Sequence, residues 1–500
     1  MHTLVRIRLG IVLAVNLSAA QAGSPLPRGT PEPRGVSSAA LLEFVNTLDQ
    51  QIEGMHSLMV LRHGQVIAEG WWAPYDAEHN HVLYSLSKSF TSTAVGFAVA
   101  EGKLSIDDEV LKFFPDIAPS DPSNNLKAMR VRDLLTMSTG HQDEAPTAPD
   151  AISAKSFLAQ PVPHLPGTHF KYNTPATFMQ SAIVQKVTGQ TVLEFLQPRL
   201  FSPLGIEHPV WDANFQGVSL GGYGLRVRTE DIAKLGQFYL QRGQWNDTQL
   251  LPAEWVAVAT SKQTSNGSNP ASDWNQGYGF QFWRCRHNAY RGDGAFGQYC
   301  VVMPEQDAVV AITSGIKDMQ SALNVIWDKL LPAMQPQVLP PDATAAHQLK
   351  DKLARLEVRT AQGSEASPLT GKALNRTYVF PANDQKVQSL ALSSADSART
   401  LTLTARIDGK DFKLPCGYHE WKKGQAPLFA GRLAQFPDEP TAGTFAWPAN
   451  DICVIKLCAY ETPYHTTLTL KFDGDQVTLD SETNVAFGPT KRPQLIGRAE

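Results

Sequence analysis

Three serines in this chain stand where a nucleophile could be built. Ser85-Leu86-Ser87-Lys88 places a lysine three residues after a serine, Ser314-Gly315-Ile316-Lys317 repeats the spacing, and Gly217-Val218-Ser219-Leu220-Gly221 matches Gly-x-Ser-x-Gly. A serine hydroxyl becomes nucleophilic only when a base takes its proton, and the resulting oxyanion needs hydrogen-bond donors. On a helix, residues i and i+3 share a face, so an amine at 88 reaches a hydroxyl at 85. Burial and the positive end of the helix dipole both disfavour the ammonium form and make the amine a usable base. The N–H of Ser85, in the first turn, has no helical carbonyl to meet and is free to serve as an oxyanion donor.

Context separates the three. Ser85 follows the apolar 81–84 stretch and leads into the helical run 90–100, whereas Ser314 ends a strand in a Ser-Gly turn with no helix to align it with Lys317. Gly-x-Ser-x-Gly works as a sharp strand-to-helix turn. Here it runs instead into Gly222-Tyr223-Gly224 and the strand-like 225–228, so Ser219 reads as a loop residue near the site.

Further segments occur in a telling order. After Ser85-x-x-Lys88 come Leu135-Thr-Met-Ser-Thr-Gly140, Phe170-Lys-Tyr172-Asn173-Thr174, Gly221-Gly222-Tyr223-Gly224 with Thr229-Glu230-Asp231, and Gly294-Ala-Phe-Gly297-Gln298. From about residue 38 to 316 the chain resembles the class C β-lactamase-related serine hydrolases, and Gly-x-x-Gly-Gln is most similar to their 6-aminohexanoate-dimer hydrolase and esterase branch. The resemblance implies that Ser85 forms an acyl-enzyme and that Lys88 and Tyr172 share the general-base task, with the phenol made more acidic by the nearby lysine. It implies oxyanion donors at the backbone N–H groups of Ser85 and Ala295, and substrate contacts at Asn173, Thr174, Gly292, Asp293 and Gly294.

Two departures bear on substrate. The β-lactamases carry Asn two residues after the tyrosine, where this chain has Thr174, with Asn173 one place early. Their Lys-Thr-Gly becomes Gly292-Asp293-Gly294, which removes the cation that binds a substrate carboxylate, a charge-assisted contact of roughly 1.5–3 kcal/mol. Arg291, one residue away on a strand, should face the other way. An ester or small amide is therefore the expected substrate in place of a β-lactam. A D-amino-acid peptidase or penicillin-binding-like cell-wall enzyme is the close alternative, and a non-catalytic binding protein the distant one.

The elements that must position these residues follow from periodicity. Apolar residues at helical spacing predict helices over 39–52, 89–101, 174–188 and 229–242, and Ser105 with Asp108 forms a capping box for a short helix ended by Pro115. Strands are expected at 57–62 and 65–70 around a His63-Gly64 turn, and again at 278–284, 298–303 and 308–313. The fold expected is α+β: a β-lactamase/transpeptidase-like domain with an antiparallel sheet flanked by helices, followed by an all-β barrel-like or sandwich domain. The second domain is read from alternation around Asp408-Gly409 and Asp473-Gly474, both hairpin signals. Boundaries fall at 1–22 (signal peptide), 23–335 (hydrolase domain), 336–368 (linker containing a charged helix at 345–356) and 369–500 (β-rich domain).

Arg6 and Arg8, the apolar 9–17 stretch and Ala20-Gln21-Ala22 form a three-part export signal with a cut expected after Ala22, which implies a periplasmic or secreted protein. No later segment has the run of about 20 apolar residues that a membrane span needs. With 500 residues, 42% hydrophobic and a net charge of −4, the chain offers no electrostatic case for nucleic acid or anionic lipid. Among the five cysteines, export would permit a Cys416 bridge to Cys453 or Cys458. Nothing in the Cys and His spacing suggests a metal, and no cofactor is expected. His141 and His164 read as solvated loop residues, Trp71-Trp72 as a domain-packing anchor, and Trp421-Lys422-Lys423 as a protected strand edge.

Overall fold

The computed structural model describes residues 25–394, 399–426 and 439–500, so the leader lies outside the described residues. The chain opens with α1 (Ser38–Gln51), capped by the Ser37 side chain, and the hairpin β1 (Met55–Arg62) and β2 (Gln65–Trp71). Helices α2 (Ser87–Ala100), α3 (Thr174–Thr188) and α4 (Thr229–Leu240) come next. The sheet is completed by β3 (Trp283–Arg284), β4 (Tyr290–Gly294), β5 (Gln298–Met303) and β6 (Ala308–Ser314). The six strands lie in the order β2-β1-β6-β5-β4-β3, all antiparallel, so the first and last strands of the domain meet at its centre.

Strand alternation divides the core into two layers. Met59, Leu61, Val302, Val309 and Ala311 face α2, α3 and α4, while Leu58, Val60, Val301, Val310 and Ile312 face α1 and the segment after β6. Both faces are covered, which is why β1, β5 and β6 are buried throughout and mostly apolar. The expected strand at 278–284 shrinks to β3, with Tyr278 in isolated bridges. Ser105 and Asp108 make capping-box hydrogen bonds, but the chain then forms a 3-10 turn, Val110–Phe113, in place of an α-helix. The charged helix α5 (Ala343–Leu353) buries Leu349 beside α1, so this connector packs onto the hydrolase domain.

From Thr377 to Ala499 nine strands close into a barrel. Lys410–Tyr418 and Glu439–Ala449 pair in parallel to shut it, and Lys422–Ala426 adds a tenth strand. Asp408-Gly409 is the two-residue turn expected, both residues having positive φ. The second hairpin turns one residue later, on Gly474-Asp475. The barrel interior holds Leu390, Leu414, Phe445, Leu457 and Leu470 together with Cys416 and Cys453.

No disulfide forms among the described residues: all five cysteines are free and buried. Cys453 and Cys458 are five apart on one strand, so alternation sends them to opposite faces. Cys453 points into the barrel, whereas Cys458 packs with Tyr75 and Trp421. Trp71 and Trp72 pack within the hydrolase domain, where Trp72 Nε1 donates to Asp49 at 2.7 Å. Lys422 and Lys423 are paired with Glu420 and Asp76. No described helix is long and apolar enough to cross a membrane.

Candidate active site

A short strand, His81–Val82, ends at Tyr84, whose φ of 46° lies in the left-handed region unusual for a bulky residue. The chain turns there through the 3-10 turn Tyr84–Leu86 and continues as α2. Ser85 is therefore two residues ahead of α2, inside the 3-10 turn and not in the first turn of the α-helix, on the outside of a tight strand-to-helix bend. Lys88 comes one turn later, 1% exposed, with its Nζ 3.2 Å from Ser85 Oγ. The amine also lies 2.7 Å from the Gly222 carbonyl and 3.3 Å from Thr174 Oγ1. The three partners satisfy the three N–H groups of an ammonium, and after loss of a proton the lone pair can accept from either hydroxyl instead. Desolvation pushes Lys88 down to about 7, against the opposing pull of Glu144 and Asp293.

Tyr172 approaches from a different segment. The Met137 carbonyl in the 135–140 loop accepts from Lys171 N at 2.8 Å, and the Tyr172 ring stacks on Trp283 at 5.4 Å and 21°. Lys88 Nζ is 5.0 Å from the ring centroid. Burial pushes the phenol up, not down, and outweighs the lowering influence of the nearby Ser85 hydroxyl. The expectation of a more acidic phenol is thus reversed: the lysine gives up its proton more readily than the tyrosine.

Both residues after the tyrosine are expected at the substrate, and the structure separates them. Asn173 is fully buried as the N-cap of α3, its Oδ1 accepting from Ala176 N at 3.1 Å, and does not face the cleft. Thr174 is the one that touches Lys88.

On β4 the glycines turn inward and the residues between them do not. A Cβ at Gly292 would overlap Leu86 and Ser89, and one at Gly294 would overlap the Leu83 carbonyl. Both serve close packing of the strand against the nucleophile turn, and neither offers a side chain to substrate. Arg291 and Asp293 share the opposite face, joined at 2.8 Å, with the guanidinium stacked over Trp274. Asp293 is near enough to Lys88 and Tyr172 to act on both electrostatically. At the place where the resemblance would put a lone cation this chain has Gly292, and the charges beside it on β4, Arg291 and Asp293, are paired with each other on the opposite face.

Ala295 lies in the next turn, its carbonyl accepting from Gln298 Nε2 at 2.9 Å; Gln298 also bonds both the carbonyl and the N–H of Ser314. Gln298 thereby holds the turn that carries the N–H expected to bind an oxyanion. Ser314 Oγ donates to the Gly297 carbonyl at 2.7 Å, and Lys317 is exposed, which leaves that second Ser-x-x-Lys unpaired. Ser219 is buried in a loop whose backbone carbonyl accepts from Ser181. That loop's contribution is the Gly222 carbonyl on Lys88, which a side-chain motif cannot reveal. Glu144, which accepts from Thr174 N at 3.1 Å, leaves no sequence signal either. His141 is fully buried, not solvated, and desolvation lowers it to about 4; His164 bonds Gln142. Among the described residues no group of His, Cys, Asp and Glu is arranged to hold a metal ion.

Comparison with known proteins agrees with this arrangement. The family profile described as Beta-lactamase matches residues 39–326. The 6-aminohexanoate-dimer hydrolase of Paenarthrobacter ureafaciens is 24% identical over 314 residues, covering 58% of this chain and 80% of that protein. An Escherichia coli K12 protein with a provisional D-alanyl-D-alanine carboxypeptidase name is 24% identical over 335 residues, covering 51% and 77%. A solved penicillin-binding protein homologue from Caulobacter crescentus superposes with a TM-score of 0.51 at 16% identity, covering 61% of this chain and 99% of its own, a likeness of fold alone. With more than half of its length inside the profile, the chain belongs to the Beta-lactamase family of serine hydrolases.

Proposed function

We propose that this protein is an exported serine hydrolase that cleaves a carboxylic ester or small amide through an acyl-enzyme on Ser85. The observation that carries the reading is the buried Lys88 amine, 3.2 Å from Ser85 Oγ and lowered to about 7. Neutral Lys88 takes the hydroxyl proton as Ser85 Oγ bonds to the carbonyl carbon. The N–H groups of Ser85 and Ala295 hold the oxyanion. Tyr172 stays protonated, donates a hydrogen bond at the reacting oxygen and passes a proton to the leaving atom, to be refilled from Lys88. Water then releases the acid by the reverse path. Export rests on the leader sequence at 1–22.

The Arg291–Asp293 pair supports the choice of ester or amide over β-lactam. It leaves no uncompensated cation on β4 for a substrate carboxylate, whose loss of a charge-assisted contact costs roughly 1.5–3 kcal/mol. The names of the relatives favour a peptide of D-amino acids as the second reading. A fluorophosphonate probe should label the wild-type protein and fail on Ser85→Ala; equal labelling of the variant would remove Ser85 from the mechanism. A p-nitrophenyl ester should be turned over faster than a chromogenic cephalosporin, and the opposite order would overturn the substrate assignment.

A further inference from the structure

The two turns that carry the proposed oxyanion donors are both packed against the barrel. Tyr84, next to Ser85, has its hydroxyl 2.6 Å from that of Tyr464. Val82, Tyr84, Ala459, Tyr464 and Val485 form a small apolar cluster on which Ala295 and Phe296 rest. Phe487, a few residues beyond the strand Gln476–Thr483, lies 4.8 Å from the Phe296 ring and meets Tyr84 edge-on at 5.5 Å. Yet it is 66% exposed. One face of this ring is spent on the residues flanking Ser85 and Ala295; the other is open to solvent beside them.

We propose that Phe487 is a specificity-determining residue, a barrel-borne platform for the hydrocarbon part of the acyl group. The inference rests on the Ser85 reading and adds the substrate class: esters or amides of acids with an extended alkyl or aromatic chain. Phe487 touches Tyr84 and Phe296, the neighbours of the two oxyanion donors, whereas leaving-group protonation is assigned to Lys88 and Tyr172. The portion of substrate it meets is therefore the acyl side. Covering apolar surface favours binding about fourfold per methylene, so two covered methylenes amount to roughly fifteenfold.

The test compares kcat/KM for p-nitrophenyl hexanoate and p-nitrophenyl acetate in the full chain, its Phe487→Ala and Phe487→Leu variants, and Ser85→Ala. The wild-type protein should prefer hexanoate. Phe487→Ala should lower the hexanoate-to-acetate ratio about fifteenfold, chiefly through KM, and Phe487→Leu should restore most of it. An unchanged ratio in a Phe487→Ala protein with wild-type circular dichroism overturns the platform while leaving Ser85 untouched. Full turnover by Ser85→Ala, or none of either ester by the wild type, overturns the acyl-enzyme reading and the platform with it.

Discussion

Two buried clusters of bases lie in this molecule, and their difference shows what makes one of them a site. At the cleft, Lys88 sits with Ser85, Tyr172 and Thr174. At the seam with the barrel, His56 Nδ1 lies 3.1 Å from His81 Nε2, stacks on Tyr75 at 3.9 Å, and Tyr75 bonds His465 at 3.0 Å. Desolvation lowers the bases in both, Lys88 to about 7, His81 to about 4 and His465 to about 3. Lowering by itself is not function. The cleft joins its base to a half-exposed hydroxyl at a helix start, whereas the thiol at the seam, Cys458, is pushed up by the same burial that silences the histidines. A base matched to neutral pH beside an accessible nucleophile can work; bases neutral at every ordinary pH can only hold a joint together.

Removing the cleft base should have the largest effect. Lys88→Ala is expected to lower kcat/KM for a p-nitrophenyl ester by about three orders of magnitude with little loss of thermal stability, since general-base catalysis supplies up to about 10⁴. In the wild type the neutral amine is the active form, so kcat/KM should rise with pH through an inflection near 7 and fall tenfold per unit below it. An inflection near 10 would mean that burial does not tune this lysine.

The seam should respond in stability instead. Its histidines bind protons more weakly folded than unfolded, so stability is full above the unfolded value of 6.5 and declines as pH falls below it. The decline levels off only under about 4 for His81, a loss on the order of 3 kcal/mol from that group. Arg226 and Lys456 add to the penalty by disfavouring further positive charge. Denaturant midpoints between pH 7 and pH 5 should fall, and fall less in His81→Gln; parallel curves would show that the seam does not sense acid. The smallest effect belongs to Asn173→Ala, which removes the α3 cap and should cost about 1 kcal/mol, measured by thermal unfolding. A large loss of activity without loss of stability would return Asn173 to the cleft.

Local spacing makes much of the site legible. Ser85 and Lys88 can be paired from sequence because one helical turn relates them whatever surrounds it, and the Asp408-Gly409 hairpin because two positive-φ residues define its turn. Asn173 deceives because a side chain beside a helix start can cap it or face a substrate, and the residue type suits both. The Gly222 carbonyl is invisible because backbone acceptors leave no mark on residue identity. The expected cysteine bridge is absent although Cys416 and Cys453 share the barrel interior: compartment chemistry says which bonds are permitted, not which ones form.

The sequence by itself determined the pairing of Ser85 with Lys88, the antiparallel sheet that joins the two ends of the first domain, and the β-rich character of the second. These depend on periodicity and on contacts within one or two turns. Only the tertiary structure decided that Lys88 gives up its proton more readily than Tyr172, that Arg291 and Asp293 neutralise each other on the face of β4 opposite Gly292, and that the barrel leans an aromatic ring against Tyr84 and Phe296. Desolvation and long-range packing set those outcomes, and both depend on which distant segments come to surround a group.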